Sequence, residues 1–314
     1  FFVISGFLIT GHLLSEVDRT GRVRLAAFYA RRIRRLLPAA LLVIVTALVG
    51  VWLLLPFPRW SDNAIQALAS VFYVENWTLA SLSVNYSEHN AAASTVQHYW
   101  SLSTEEQFYA LWPALILLAV WAARRAGRAR GTSPEAALTR RAVAGALLAL
   151  AVASLVHSIL LTAGDPAAAY FVTTTRAWEF AAGALLSFVM ARWAPGDAAS
   201  VGLRWVGLAA VVATSFAISQ ATPFPGAVAL VPVLGTAAII LAGDAGASDP
   251  LLRVGNVRPV QWLGDVSYAV YLWHWPLIAL SPFVLGRDLS PVDKLAVLGL
   301  TGVLAHLTRR FVEQ

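Results

Sequence analysis

Nine apolar stretches set the terms for this chain: 1–15, 36–56, 103–123, 142–163, 171–191, 205–220, 227–243, 264–285 and 292–309. A helix rises about 1.5 Å per residue, so roughly 20 apolar residues match the ~30 Å hydrocarbon core of a bilayer. Inside that core a helix satisfies its own backbone polarity. Apolar residues make up 58% of the chain and charged residues 13%, against about 25% charged in an ordinary soluble domain. The expected fold class is therefore all-α, a polytopic membrane helical bundle. The first stretch is short. Residues 1–14 reach roughly 21 Å, with no basic segment before them and no small-residue cleavage site after them, so they do not read as a signal peptide. They read as the later part of a span that begins before Phe1. One further helix upstream would bring the count to about ten, with both ends on the same side. The stretch 64–80, with Asn63, Gln66, Glu75 and Asn76 in or beside it, reads as a short interfacial or re-entrant helix.

Charge gives the orientation. If 16–35 is cytoplasmic, alternation places 124–141, 192–204, 244–263 and the C-terminal end on the same side. Those regions hold 19 of the 23 basic residues. The other side holds Arg59, Arg287 and Lys294, and Arg176 falls inside a span. This asymmetry follows the positive-inside rule. It accounts for the net charge of +6 without nucleic acid. The longest outer loop is 57–102, and loops of that length in compact proteins are usually functional. The chain has no Cys, which excludes disulfides and a thiolate nucleophile, and no His or carboxylate spacing reads as a metal site. Trp52, Trp60, Trp100, Trp193, Trp205 and Trp262 sit near span ends, as an interfacial belt does.

Polar residues inside spans need a reason, because a central Asp, Lys or Arg costs about 2.5–3.5 kcal/mol to insert. In "DVSYAVYLWHWPL", 265–277, Ser267, Tyr271 and His274 share a helix face, with Tyr268 beside it. Pro276 deprives the Leu272 carbonyl of its helical partner. The stripe suits a proton acceptor or substrate contact, or a hydrogen-bonded cluster joining helices. In "TTTRAWEF", 173–180, Arg176 and Glu179 are spaced to pair. In "SLSTEEQFYALWP", 101–113, Ser103 and Glu106 fit a capping box at the start of a span. Glu105, Glu106 and Gln107 together exceed what capping needs. In "RRIRRLLP", 31–38, Arg31, Arg32, Arg34 and Arg35 can mark topology or fork onto phosphate oxygens. His12, His89, His98, His157 and His306 read as structural.

Taken together and in order, "FFVISGFLIT", "FYARRIRRLLPA", "SLSTEEQFYALWP", "TRAWEFAAGALL" and "SYAVYLWHWPL" resemble the acyltransferase-3 family. These are bacterial membrane O-acyltransferases of surface glycans, and the pattern is most similar to the branch acting on peptidoglycan and lipopolysaccharide. The resemblance covers essentially all of 1–314 as one membrane acyltransferase domain in the cytoplasmic membrane. It implies about ten helices, an acyl-CoA donor (acetyl-CoA) used from the cytoplasm without a bound cofactor, and a glycan acceptor outside. An SGNH-type domain would act in cis, beyond Gln314, or in trans. The family's Arg-x-x-Arg feature maps onto Arg31–Arg35. Its catalytic Arg and His, separated by ten residues in the first helix, fall upstream of Phe1, and no residue here is assigned to them. The expected site combines His274, Glu106 and Arg176 as reacting groups. Arg31, Arg32, Arg34, Arg35, Glu105, Glu179, Ser267, Tyr268 and Tyr271 would contact substrate. The alternative is a transporter or flippase of a polar or lipid-linked substrate, but no inverted repeat or pair of broken helices supports it.

Overall fold

The computed structural model describes residues 1–20, 23–85, 93–129, 136–219, 221–244 and 249–313. All regular structure among them is helical. The order is α1 (Phe2–Thr20), α2 (Leu25–Leu54), α3 (Trp60–Val71), α4 (Glu75–Asn85), α5 (Tyr99–Ala129), α6 (Ala136–Gly164) and α7 (Pro166–Phe171). It continues with α8 (Ala177–Met190), α9 (Asp197–Ala217), α10 (Leu230–Ala242), α11 (Pro250–Gly255), α12 (Arg258–Leu285) and α13 (Pro291–Phe311). Each of the nine apolar stretches falls on this helical structure. Among the described residues, five segments are long and apolar enough to cross a bilayer: Leu25–Leu54, Tyr99–Gly127, Arg140–Gly164, Asp197–Ala217 and Arg258–Leu285. Phe2–Glu16, Ala177–Met190 and Ala227–Ala242 are apolar but shorter, and α13 is not among the candidates.

The chain divides into two compact units, Phe1–Val23 with Thr104–Arg253, and Arg24–Ser103 with Val254–Gln314. In the first, α1 lies against α8 with almost no space between the backbones. A Cβ on Gly6 would come within 2.0 Å of the Phe180 carbonyl oxygen, and one on Gly183 within 1.9 Å of that of Val3. Without a hydrophobic drive between helices in lipid, such close approach is what yields dispersion energy. Phe180 stacks on Phe2 at 4.6 Å and on Phe108 at 3.8 Å, which extends the contact to α5. The α9 and α10 pair repeats the device with Gly207 and Gly235. In the second unit, Ala39, Ala40, Val43, Ile44 and Ala47 of α2 form one core with Val96, Tyr99, Leu272 and Trp273. Their spacing of three and four residues gives α2 one buried face.

Three local expectations change. The stretch 64–80 is not one helix. Tyr73 takes a left-handed φ of 54°, and its N–H bonds Ser70 while that of Val74 bonds Ala69. These two bonds close α3 as a Schellman motif with Tyr where Gly is usual. Helix α5 begins at Tyr99, so Ser103 lies inside it. The capping box is therefore not formed, and the Ser103 hydroxyl is buried without a hydrogen-bond partner among the described residues. The stretch 171–191 is not one continuous helix: α7 ends at Phe171, a tight turn follows at Thr173–Thr175, and Arg176 stands at the N-cap position of α8. Replacing Gly6 or Gly183 with Ala should lower the unfolding midpoint in detergent, since overpacking costs about 1–3 kcal/mol. Gly11→Ala, which meets nothing within 4 Å, should leave that midpoint unchanged or slightly raised in the same melt.

Candidate functional site

The second unit assembles a site around one turn of α12. Asn63 and Gln66 on α3 are buried and hold the segment that enters α5. Ser94 Oγ donates to Gln66 at 2.5 Å, and the N–H and hydroxyl of Thr95 donate to Asn63 Oδ1 at 2.9 and 3.0 Å. Asn63 and Gln66 therefore act as anchors for residues 94 and 95. Anchored this way, the segment delivers His98 into the core, 6% exposed. Its ring lies 5.4 Å from that of His274 and 5.3 Å from that of Tyr271. The Tyr271 hydroxyl has one proton, which goes to the His98 carbonyl at 2.5 Å. The Ser101 hydroxyl must then donate to Tyr271, at 2.6 Å. Tyr271 and His274 thus come together as their spacing predicts. Ser267 does not join them; it is exposed, with its hydroxyl on its own helix at Gly264. Tyr268 donates instead to the Leu36 carbonyl of α2 at 2.9 Å.

That contact sets α12 beside the arginine cluster. Arg31, Arg34 and Arg35 are exposed and Arg32 is half-buried, all within the first turns of α2. Burial pushes the Glu313 carboxyl above its usual range, and Arg35 and Arg309 oppose this. Arg35 therefore stands beside the Glu313 carboxyl, and the exposed guanidinium groups of Arg31, Arg34 and Arg35 give this part of α2 a cationic face. Such a face can bind a polyanion through charge-assisted hydrogen bonds.

The first unit holds the remaining predicted residues. Glu105 is buried and accepts from Ser5 of α1 and from Tyr109 one turn along, both at 2.5 Å. Glu106 is half-buried. Gln107 accepts from Thr173 at 2.6 Å. Arg176 pairs with Glu179 at 3.0 Å, and its Nε and Nη2 both donate to the Tyr170 carbonyl. Its guanidinium also lies between the Tyr170 and Phe224 rings, at 5.0 and 5.1 Å. Glu179 stands in the first turn of α8, where the helix dipole favours a carboxylate. This arrangement ties the 170–176 connection to α8. A second buried pair, Arg204 with Asp249, is joined by the Gly243 carbonyl. Among the described residues no cluster of three or more His, Asp or Glu side chains is placed to hold a metal. His89, Arg22 and Arg130 lie outside the described residues.

Sequence reading missed the role of His98. Its only signal was its place three residues before Ser101, at the entrance to α5.

A polar cluster on a proline-containing membrane helix, beside a cationic helix end, is an arrangement that acyl transfer can use. The chain matches the acyltransferase domain family (Acyl_transf_3) over residues 1–305, and it belongs to that family. Its relatives include the peptidoglycan O-acetyltransferase OatA of Listeria monocytogenes, 32% identical over all of this chain and 50% of that protein. The putative peptidoglycan O-acetyltransferase YrhL of Bacillus subtilis and the O-acetyltransferase OatA of Staphylococcus aureus are each 31% identical over the whole chain, covering 49% and 51% of those proteins. The chain thus spans about half the length of the curated relatives it matches. No solved structure matches it.

Two buried groups in the second unit lie outside the five candidate spans and titrate far from their usual ranges. Burial, helped by the neighbouring His274, holds His98 down at about 3, while its bond to Leu272 opposes this. Burial pushes Glu75 up to about 9. An unfolded His titrates near 6.5, so keeping His98 neutral contributes stability that is complete above about pH 6.5 and falls away toward pH 3. Glu75 has the opposite sign. Its contribution is complete below 4.5, its ordinary value, and is lost as pH rises toward 9. The unfolding midpoint should therefore fall between pH 6.5 and 9, and Glu75→Gln should flatten that fall. An unchanged alkaline slope in Glu75→Gln would remove Glu75 as its cause.

Proposed function

We propose that this chain is the membrane domain of an O-acetyltransferase. It moves an acetyl group from cytoplasmic acetyl-CoA to a hydroxyl of an extracytoplasmic glycan, with peptidoglycan as the acceptor class. The observation that carries the reading is membership of the acyltransferase family, with a match that runs through both compact units. The names of the relatives support the acetyl group and the acceptor. Residues 1–314 work as one domain of nine spans here, in the cytoplasmic membrane, with 16–35 and 124–141 inside and 57–102 outside. The charge asymmetry supports that orientation.

In the reaction the C–S bond of the thioester breaks and a C–O ester bond forms. The hydroxyl proton goes to a base, and the departing thiolate takes up a proton. Arg31, Arg32, Arg34 and Arg35 hold the phosphates of the donor. His274 meets the acceptor hydroxyl through Nε2 with Tyr271 beside it, and Tyr268 and Ser267 contact substrate further along α12. In the first unit, Glu106 orients a polar partner, with Glu105 supporting it. Arg176, beside Glu179, supplies a positive charge for an anionic group of a substrate. An SGNH-type domain, in cis or in trans, completes delivery to the glycan.

Two experiments test this reading. Replacing the four arginines with Gln should raise the KM for acetyl-CoA by at least tenfold in correctly inserted protein. One charge-assisted hydrogen bond is worth roughly 1.5–3 kcal/mol, so even a single loss is measurable. An unaltered KM would leave the cluster a topological signal only. His274→Ala should lower acetyl transfer to peptidoglycan strands by roughly 10²–10⁴-fold, the span of general-base catalysis. His274→Gln restores activity if the ring only orients the hydroxyl, and stays inactive if the ring takes the proton. A fully active His274→Ala would withdraw the assignment.

A further inference from the structure

Residues 94–101 grip one turn of α12 at three points. Trp275 Nε1–H donates to the Ser94 carbonyl at 2.8 Å, the Tyr271 hydroxyl donates to the His98 carbonyl, and His98 Nε2 lies 3.2 Å from the Leu272 carbonyl. The last contact meets a specific deficit. Leu272 stands four residues before Pro276, whose missing N–H leaves the Leu272 carbonyl without its helical donor. Carbonyls only accept, so His98 must carry its proton on Nε2. Its Nδ1 is buried with no hydrogen-bond partner among the described residues. Leaving a buried acceptor bare is unfavourable, and this is tolerated at the ring that repairs the proline turn.

The next carbonyl along sets a second tautomer. His274 Nδ1 lies 2.6 Å from the Tyr271 carbonyl. By the same logic His274 is protonated on Nδ1, which leaves Nε2 as its basic nitrogen. Two adjacent carbonyls therefore fix two imidazoles in opposite tautomers, with the rings edge to face. The groups around His98 that ionise are His274, Tyr271 and Tyr99. No carboxylate is among them.

We infer that His98 is a positioning residue for acyl transfer: by supplying the hydrogen bond that Pro276 withholds from Leu272, it holds the Tyr271–Leu272 carbonyls and so keeps His274 in the tautomer whose Nε2 meets the acceptor hydroxyl. This rests on the reading of His274 as a group of the transfer site. The acetyl group and proton follow the balance already given, and His98 touches neither.

The test uses protein labelled with ¹⁵N at histidine, in which ring nitrogen shifts separate protonated from bare nitrogens, and the His274 signals are assigned by their loss in His274→Ala. In the wild type His274 should be protonated on Nδ1. His98→Leu should mix its tautomers and lower kcat for acetyl transfer at least tenfold without changing the KM for acetyl-CoA. His98→Gln, which keeps a donor at similar reach, should retain both properties. Pro276→Ala returns an amide to Leu272, so adding it to His98→Leu should recover the tautomer and the rate. Should His98→Leu alone fail to fold, the double variant must fold, and its failure would overturn the inference. So would an unchanged His274 tautomer in folded His98→Leu, or a double variant that folds without recovery. A wild type that transfers no acetyl group would instead remove the functional reading, and the ring shifts would still decide whether His98 sets the tautomer.

Discussion

A carbonyl in an apolar helix that loses its amide partner has to find another donor, because no water is at hand to replace it. In α12 Pro276 creates that need at Leu272, and the local structure of the second unit follows from how it is met. The donor is His98. Its delivery requires residues 94–97 to approach α12, and that approach is secured by Asn63 and Gln66 on α3. Tyr271 and Trp275 then bond back to the same segment. One missing hydrogen thus organises side chains drawn from α3, the entrance to α5 and α12.

The first unit solves the same problem with charge. Glu105 is surrounded by hydroxyl donors, and Arg176 is held by a carboxylate, a carbonyl and two aromatic faces. Buried ions are tolerated only when hydrogen bonds complete their shells. The glycine contact of α1 with α8 supports this, because it brings Ser5 within reach of Glu105. The extended phenyl stack from Phe2 through Phe180 to Phe108 fills the remaining space.

Much of this was legible in the chain, for identifiable reasons. Hydropathy alone locates helices when the solvent is lipid, so among the described residues a helix lies along each of the nine apolar stretches. Their lengths were less legible. Where a helix stops depends on tertiary contacts, so α8 is only 14 residues long and begins just after Arg176. The pairing of Arg176 with Glu179 and the nearness of Tyr271 to His274 followed from helical spacing. Ser103 misled because a capping pattern says nothing of an earlier start to the helix. Tyr73 misled because bulky residues seldom take a left-handed φ, and only the structure shows one doing so. His98 was invisible in a different sense. Its partner is 174 residues away, and no local pattern announces a donor required by a distant proline.

The arginines of this chain fall into two electrostatic regimes, and ionic strength separates them. Arg31, Arg34 and Arg35 are exposed, and a charge in water is screened over about 10 Å at 0.1 M salt. The attraction of that helix end for any polyanion therefore weakens steadily as salt is added. Arg176 and Arg204 are paired out of water, where mobile ions do not reach them. Salt can consequently loosen what this protein holds at its surface without touching what holds the protein together.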